Sequence, residues 1–219
     1  MGRNNKVSTA VIRRLPRYYR YLSELQNKGT TRISSGALGK AMGLTASQIR
    51  QDLSCFGEFG QQGYGYTVSS LREEVAEIMG ITRGNRAIIL GVGNLGRALL
   101  ENFPFGEYGF QIMAAFDVNP LVVGTQLQDV PVYDVSELSS FLEKEPVSVG
   151  VITVPKNMAQ KTAENLVKCG IQGIWNFTNE EISVDSVVVE SVHFSDSLLA
   201  LSYMISPRGI GEEDNESKI

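Results

Sequence analysis

The sequence predicts an α/β protein in two parts, a small and mainly helical N-terminal domain followed by a parallel sheet with helices on its faces. Short apolar runs alternate with helical patterns after residue 86, which is typical of βαβ units. The charge also divides the chain: residues 1–70 carry ten Lys and Arg against three Asp and Glu, a net charge of +7, whereas the remainder carries −11. A basic module beside an acidic one indicates nucleic-acid binding by the first part, although chance clustering of solvated charges would give the same imbalance.

The composition excludes several classes of protein. The chain has 219 residues, 42% of them hydrophobic, which suffices for a buried core without disulfides or a structural metal. Cys55 and Cys169 form no Cys-x-x-Cys pair and His193 is the only histidine, so we predict no metal site and no Ser-His-Asp triad. The apolar runs are shorter than the roughly 18 residues of a membrane span, and the N-terminus lacks a signal-peptide pattern. We therefore predict a cytoplasmic protein that does not enter the membrane.

Residues 1–80 begin with the pattern of three helices. Apolar residues recur every three or four positions along the first helix, at Val7, Val11, Leu15, Tyr18, Leu22 and Leu25. Pro16 lies within this pattern, so we expect a kink there or a new start for the second half. A second helix begins after Ser34-Ser35 and ends at Gly43, and a capping box between Thr45 and Gln48 starts the third. Two short helices joined by a tight turn form a helix-turn-helix motif.

The second helix of such a motif enters the DNA major groove, where Gln and Arg side chains match the hydrogen-bonding groups of base edges. A segment rich in glycine and aromatic residues, 56–68, predicts a β-hairpin, or wing, that reaches the DNA backbone or the minor groove. Residues 1–80 therefore predict a winged-helix DNA-binding domain, with a three-helix domain and a hairpin that binds nothing as the alternative. The predicted DNA-binding residues are Arg14 on the first helix, Ser47, Gln48, Arg50 and Gln51 on the third, and Gln62, Gly63 and Tyr64 at the wing tip. A capping box at Ser70 and Glu73 predicts one more helix, which ends at Gly80, and residues 81–85 form a linker.

Residues 86–193 carry the pattern of a dinucleotide-binding domain. An apolar strand at 87–90 runs directly into the loop Gly91-Val92-Gly93-Asn94-Leu95-Gly96, and a helix follows over 97–102. Glycines at this spacing let the backbone turn and approach a pyrophosphate at the positive N-terminus of the helix. The loop in this context predicts a Rossmann domain.

The acidic residue Asp117 ends the next strand, 112–116. Its carboxylate would accept hydrogen bonds from the adenosine ribose and repel a 2′-phosphate, which favours NADH and NAD⁺ as cofactors unless Asp117 is only a turn residue. Ligands of open α/β sheets bind at the carboxyl ends of the strands. The further cofactor-binding candidates at these ends are Thr153, Val154, Pro155, Asn176 and Phe177. Ordinary core packing is the alternative for Phe177.

The last predicted helix, 194–206, is apolar around most of its circumference. Its apolar residues are Phe194, Leu198, Leu199, Leu201, Tyr203, Met204 and Ile205. Such a helix needs burial on more than one side, and a partner subunit is the readiest source, so we predict a homodimer. Residues 207–219 are acidic and predict a disordered tail.

These motifs together resemble the Rex family of bacterial redox-sensing repressors over residues 6–206. The resemblance rests on residues 47–53, on 60–66 and on the loop 91–96 that follows them. It implies a homodimer whose C-terminal helix is swapped, so that Phe194 approaches the partner's nicotinamide site. It also implies binding to palindromic double-stranded operators of fermentation and respiration genes, release by NADH, and sensing of the NADH/NAD⁺ ratio.

Two positions depart from the family pattern. Many members carry Asp where this chain has His193, and some carry Tyr where it has Asn102. The resemblance implies that these groups exchange partners with an Arg matching Arg20 when the protein switches between its DNA-bound and NADH-bound states. An imidazole lacks the negative charge of Asp, so we predict altered sensing, with neutral drift in a solvated loop as the alternative.

Two other readings compete with a repressor. An NAD-dependent dehydrogenase with an accessory N-terminal domain would need a general acid or base and a substrate domain. The chain has no Tyr-x-x-x-Lys motif, its one histidine lies at a helix start, and no stretch remains for a substrate domain. We therefore predict that the protein is not an enzyme and has no catalytic residues. A CoA-binding or purely structural Rossmann protein is the third reading.

Overall fold

Residues 7–57, 59 and 64–206 are described by the computed structural model, in which the chain forms two units. The first contains Met1–Gly84 together with Glu107–Gly109, and the second contains Asn85–Gly106 together with Phe110–Ile219. The short insertion joins the first unit because Gly109 lies against Ile81: a Cβ at Gly109 would stand 1.9 Å from the Ile81 carbonyl oxygen. The predictions for Gln62, Gly63 and the tail 207–219 lie outside the described residues.

The first unit is a winged-helix fold. Its described helices are α1 (Thr9–Asn27), α2 (Ser35–Met42), α3 (Ala46–Ser54) and α4 (Val68–Ile78). A small antiparallel sheet pairs β1 (Arg32–Ile33) with β2 (Tyr66–Thr67). One apolar core holds the helices together, and its most deeply buried members include Tyr18, Leu22, Leu38, Ile49, Leu53 and Val75.

The two helices of the helix-turn-helix are confirmed, although α2 begins at Ser35, one residue earlier than predicted. The Ser34 hydroxyl accepts a hydrogen bond from the Ala37 N–H at 3.1 Å where α2 begins. Gly43 ends α2 in the left-handed conformation, with φ of 67°, which glycine adopts without strain. Thr45 and Gln48 form the predicted capping box at the start of α3.

Three features of the first unit differ from the sequence prediction. The helix α1 runs unbroken through Pro16, so the predicted new start there is wrong, whereas the alternative of a kink stays a prediction. The helix α4 begins at Val68 rather than Ser70, because Val68 is buried in the core and donates its N–H to the Thr31 carbonyl oxygen at 2.9 Å. The strand β2 pairs with β1 from the segment between α1 and α2, a pairing that the sequence pattern did not predict. Residues 58 and 60–63 of the predicted hairpin lie outside the described part of the chain.

The second unit is a doubly wound sheet. Its described strands are β3 (Asn85–Leu90), β4 (Phe110–Asp117), β5 (Gln126–Leu127), β6 (Val130–Asp134), β7 (Val149–Ile152), β8 (Gly173–Asn176) and β9 (Val188–Ser191). They follow the order β5-β6-β4-β3-β7-β8-β9, and all neighbours are parallel except β5 and β6. The helices are α5 (Asn94–Asn102), α6 (Leu138–Lys144), α7 (Ala159–Lys168) and α8 (Phe194–Met204).

The strand order changes direction between β3 and β7. The chain passes from β3 outward through β4 and β6, then returns to place β7 on the other side of β3. The loops after β3 and β7 therefore separate and leave a crevice at their carboxyl ends, which is where a dinucleotide binds in such sheets. The predicted α/β class is confirmed. The segment predicted as a linker contains a 3₁₀ turn, Ile81–Arg83, and its last residue begins β3.

The described part of the chain contains no helix that is both long and apolar enough to cross a membrane.

Candidate functional site

The exposed face of α3 carries the predicted base-reading residues. Ser47, Gln48, Arg50 and Gln51 are all exposed. The Gln48 Oε1 accepts the Thr45 N–H at 3.1 Å, so this side chain serves as part of the helix cap. Arg50 donates from Nη1 to the Ser35 hydroxyl at 3.0 Å, which ties α3 to the start of α2. Gln51 and the part of the Arg50 guanidinium that is not bonded to Ser35 are the exposed long polar groups of α3 whose position suits the predicted base contact.

Two arginines of α1 are used inside the domain. Arg14 donates from Nε and Nη2 to the two carboxylate oxygens of Asp52 on α3, at 2.6 and 2.7 Å. Arg17 donates from Nη2 to the Met42 carbonyl oxygen at the end of α2, at 2.7 Å. The ion pair with Asp52 neutralises Arg14, so the count of basic residues in the first 70 positions overstates the positive charge that this domain can offer to DNA, whereas Arg17 keeps its charge.

The carboxylate of Asp52 is 4% exposed and also accepts the Tyr18 hydroxyl at 2.9 Å. Burial alone would raise the pKa of Asp52, but the hydrogen bonds from Arg14 and Tyr18 outweigh it and hold that pKa below its ordinary value. Burial and the same carboxylate raise the pKa of the Tyr18 hydroxyl. Asp52 was not predicted from the sequence, although its spacing of three from Ile49 places it on the buried face of α3 and could have identified it.

The wing is described at its base and at Tyr64. Tyr64 is 70% exposed, and the guanidinium of Arg32 on β1 lies 5.6 Å from its ring centroid. Gly65 has φ of +70°, and a Cβ there would stand 2.5 Å from the Ile33 carbonyl oxygen, so the strand approach requires glycine. Arg32 was not predicted from the sequence and adds a cation beside an exposed aromatic ring.

The glycine loop of the crevice has one crowded side and one open side. A Cβ at Gly96 would stand 2.0 Å from the Gly91 carbonyl oxygen and 2.8 Å from Thr153 Oγ1, whereas a Cβ at Gly93 would have no neighbour within 4 Å. The Thr153 hydroxyl lies 2.7 Å from the Gly91 carbonyl oxygen and 3.1 Å from that of Leu90, and it donates to this pair. Thr153 therefore holds the loop in place, and the open side at Gly93 leaves space for a pyrophosphate at the start of α5.

Asp117 ends β4 and is already tied to the loop. Its Oδ2 accepts the Val92 N–H at 2.5 Å, and its Oδ1 accepts the Asn119 N–H at 2.8 Å. Each carboxylate oxygen has a further lone pair, so these bonds leave acceptors for ribose hydroxyls. Val118 and Leu121 beside it are 71% and 85% exposed and form an apolar surface suited to the face of an adenine ring. Neither residue was predicted from the sequence.

The other end of the crevice lies after β7 and β8. Asn176 is 1% exposed and fully occupied: its amide donates to the Glu180 carbonyl and the Ser191 hydroxyl, and its Oδ1 accepts from the N–H and hydroxyl of Thr178. Asn176 therefore shapes the loop after β8. Phe177 is buried, and its ring centroid lies 6.3 Å from that of Phe194.

The loop after β7 carries the remaining crevice candidates. Val154 is half-buried and packs against the sheet core, whereas Pro155 is exposed. The next residue, Lys156, pairs with Glu180 at 2.9 Å and links this loop to the one after β8.

The three predicted switch residues are distributed over the two units. Arg20 is exposed on α1 of the first unit. In the second unit, the Asn102 amide donates to the Ala98 carbonyl oxygen at 3.0 Å, and His193 Nε2 lies 3.4 Å from Glu181 Oε1. Each side chain of the second unit thus has a local partner within its own unit.

The helix α8 has no buried residue within the single chain. Its apolar side chains, together with Ile205, are between 53% and 67% exposed: Phe194, Leu198, Leu199, Leu201, Tyr203, Met204 and Ile205. Seven exposed apolar side chains along this one segment form a contiguous apolar surface, a feature that marks interaction sites. Among the described residues, no group of three or more His, Cys, Asp or Glu side chains is placed to hold a metal ion.

Comparison with known proteins matches both units. A family model described as "CoA binding domain" matches residues 82–180, and one described as "Putative DNA-binding protein N-terminus" matches residues 6–54. The redox-sensing transcriptional repressor Rex of Clostridium botulinum is 49% identical over 207 residues, covering 94% of this chain and 99% of that protein. Rex of Clostridium acetobutylicum is 48% identical over 206 residues, covering 94% of this chain and 96% of the relative.

Solved structures give the same result. A crystal structure of RSP in complex with β-NAD⁺ and operator DNA matches with a TM-score of 0.86 at 47% identity, over 91% of this chain and 93% of that one. A crystal structure of RSP in complex with β-NADH matches with a TM-score of 0.84 at 44% identity, over 91% of this chain and 94% of that one.

Proposed function

The chain belongs to the Rex family of redox-sensing transcriptional repressors, and we propose that it binds operator DNA through α3 and the wing and is released by NADH. The observation that carries this proposal is the presence, in one chain, of a helix-turn-helix with exposed Arg50 and Gln51 and of a doubly wound sheet with an open glycine loop. The operator-bound and NADH-bound structures of RSP support it, since they align with 91% of this chain.

The proposed cofactors are NADH and NAD⁺. The open backbone at Gly93 would receive the pyrophosphate, and the free lone pairs of Asp117 would accept the ribose hydroxyls. A 2′-phosphate would meet the Asp117 carboxylate, which disfavours NADPH. Thr153 and Asn176 contribute by shaping the loops, and Phe177 lies at the end of the crevice proposed for the nicotinamide, which Phe194 of the partner subunit would approach in a swapped dimer.

The proposed DNA-binding form is a homodimer on a palindromic double-stranded operator. The exposed apolar surface of α8 supports this proposal, because packing against a second copy would bury it. Two copies of α3 would then read successive major-groove half-sites. We further propose that residues 1–80, 86–193 and 194–206 serve as DNA-binding, cofactor-binding and dimerisation segments, and that the protein acts in the cytoplasm, where operator and cofactor meet.

A dehydrogenase is the competing function. Hydride transfer to a carbonyl needs a general acid near the nicotinamide. The histidine of this chain begins α8 and lies beside Glu181, and the wall at that end of the crevice is aromatic. We therefore propose that the protein senses the cofactor without turning it over.

A mobility-shift titration tests the proposal. Wild-type protein on a palindromic operator is titrated with NADH, NAD⁺, NADPH and CoA, and NADH consumption is followed in parallel with candidate carbonyl substrates. Release by NADH at concentrations where NAD⁺ and CoA have no effect is the expected result. Steady NADH oxidation, or release by CoA instead, would contradict it.

A further inference from the structure

A buried ion pair joins the recognition helix to α1. The Asp52 carboxylate on α3 receives three hydrogen bonds: from Arg14 Nε at 2.6 Å, from Arg14 Nη2 at 2.7 Å, and from the Tyr18 hydroxyl at 2.9 Å. Arg14 and Tyr18 are four residues apart, so they lie on one face of α1 and both donate hydrogen bonds to the same carboxylate. A bidentate pair with a third donor fixes the direction of the carboxylate as well as its distance.

Apolar packing alone does not supply this direction. Ile49 and Leu53 flank Asp52 on the buried face of α3, and both are almost fully buried. Apolar contact is non-directional, so the hydrogen bonds to Asp52 add the directional constraint on the rotation of α3. Rotation of α3 would displace Arg50 and Gln51, which immediately precede Asp52 on the outer surface.

Other contacts tie the same three helices together. Arg17 of α1 binds the carbonyl at the end of α2, and Arg50 of α3 binds Ser35 at the start of α2. Arg14 is poorly placed to be a DNA contact, because Asp52 occupies two of its three guanidinium nitrogens and its side chain is only 24% exposed.

We propose that Asp52, held by Arg14 and Tyr18, is a positioning residue that sets the orientation of α3 and thereby the ability of this protein to distinguish its operator from other DNA. The proposal rests on the proposed operator binding and replaces the direct DNA contact predicted for Arg14. Buried ion pairs contribute little net stability on average, so this one acts through the specificity of the arrangement it selects.

The sign of one substitution separates this role from simple electrostatics. Asp52→Asn removes a negative charge near the DNA and would strengthen binding if charge alone mattered. If Asp52 positions α3, the same change weakens operator binding by about tenfold or more, because a neutral amide no longer forms the ion pair that fixes α3 against the half-buried Arg14. Binding to a scrambled duplex, which depends on phosphate contacts, stays at the wild-type level or rises slightly.

The experiment measures affinity for operator and scrambled duplexes at several salt concentrations, using the full chain. The variants are Asp52→Asn and Arg14→Gln, with the exposed Glu73→Gln and Arg13→Gln as charge-matched controls. For Arg14→Gln we expect a lower ratio of operator to scrambled affinity with an unchanged salt slope. A phosphate contact would instead lower both affinities and reduce the slope by about one per contact.

Three outcomes would overturn the proposal: operator affinity unchanged or raised in Asp52→Asn, a reduced salt slope in Arg14→Gln, or equal losses of affinity for both duplexes in a variant that keeps the wild-type helical circular dichroism signal. If Asp52→Asn fails to fold, Arg14→Lys tests the proposal instead, because lysine keeps the positive charge but cannot form the bidentate ion pair with Asp52. A wild-type ratio of operator to scrambled affinity in Arg14→Lys would contradict the proposal. Failure of the wild type to prefer the operator would contradict the proposed function instead.

Discussion

Alanine substitutions at two glycines of the crevice loop, Gly96 and Gly93, should have different effects on stability. A Cβ at Gly96 would stand 2.0 Å from the backbone oxygen of Gly91, so Gly96→Ala requires the loop to move. Forced overpacking of this kind costs about 1–3 kcal/mol. The melting temperature of the cofactor-free protein should fall by about 2–4 °C for each kcal/mol lost. Gly93→Ala meets no neighbour, so the cofactor-free stability should stay within about 1 kcal/mol of wild type.

Cofactor binding should respond differently from stability. The methyl group of Gly93→Ala occupies the open side of the loop, where the pyrophosphate approaches the backbone, so NADH affinity should fall about tenfold or more despite normal stability. Thermal unfolding of both cofactor-free variants and calorimetric NADH titration measure the two effects separately. Wild-type NADH affinity in Gly93→Ala, or a wild-type melting temperature in Gly96→Ala, would refute the reasoning.

Four further predictions follow from the same structure. Asp117→Ala should lower the affinity for NADH and reduce the ratio of NADH to NADPH affinity, both measured by calorimetry. Equal affinities of the wild type for NADH and NADPH would contradict the proposed contact of Asp117 with the ribose. Deletion of residues 194–219 should give monomeric or insoluble protein, since each large apolar side chain loses about 1.5–3 kcal/mol of burial; a soluble monomer that binds NADH normally argues against the swap. His193→Asp should increase the factor by which operator DNA lowers NADH affinity, measured as the ratio of NADH affinities without and with operator. An unchanged ratio would show that a negative charge at position 193 plays no part in the coupling. The pKa of Asp52 is lower in the folded protein than its ordinary value, so its contribution to the free energy of unfolding is present above the ordinary pKa and is lost as the pH falls through the folded value. The free energy of unfolding of Asp52→Asn should therefore fall less steeply with decreasing pH in that range than that of the wild type.

Features with local determinants were predictable from the sequence. The capping box of Thr45 and Gln48 starts α3 where predicted, because both partners lie within one turn. The glycine loop could be identified because a strand, the loop and a helix follow one another within a few residues.

Features that depend on distant partners were not predictable. Asp52 meets Arg14 across 38 positions, and β1 meets β2 across a segment that includes two helices. The start of α4 was misplaced for the same reason: Val68 is drawn into the core and bonded to Thr31, which outweighs the local capping signal at Ser70. Thr153 and Asn176 lie at the strand ends named from the sequence, but their hydrogen bonds give them loop-shaping roles that spacing could not reveal.

The exposed surface of α8 has a consequence for the life of the protein in the cell. A chain that covers this helix only by pairing has a folded state whose stability depends on its own concentration. Newly synthesised, unpaired copies would present seven large apolar side chains to chaperones and proteases. Pairing would bury these side chains and so protect the protein from degradation. Dimerisation would then act as a quality-control step, so that the copies surviving to compete for an operator are those already assembled.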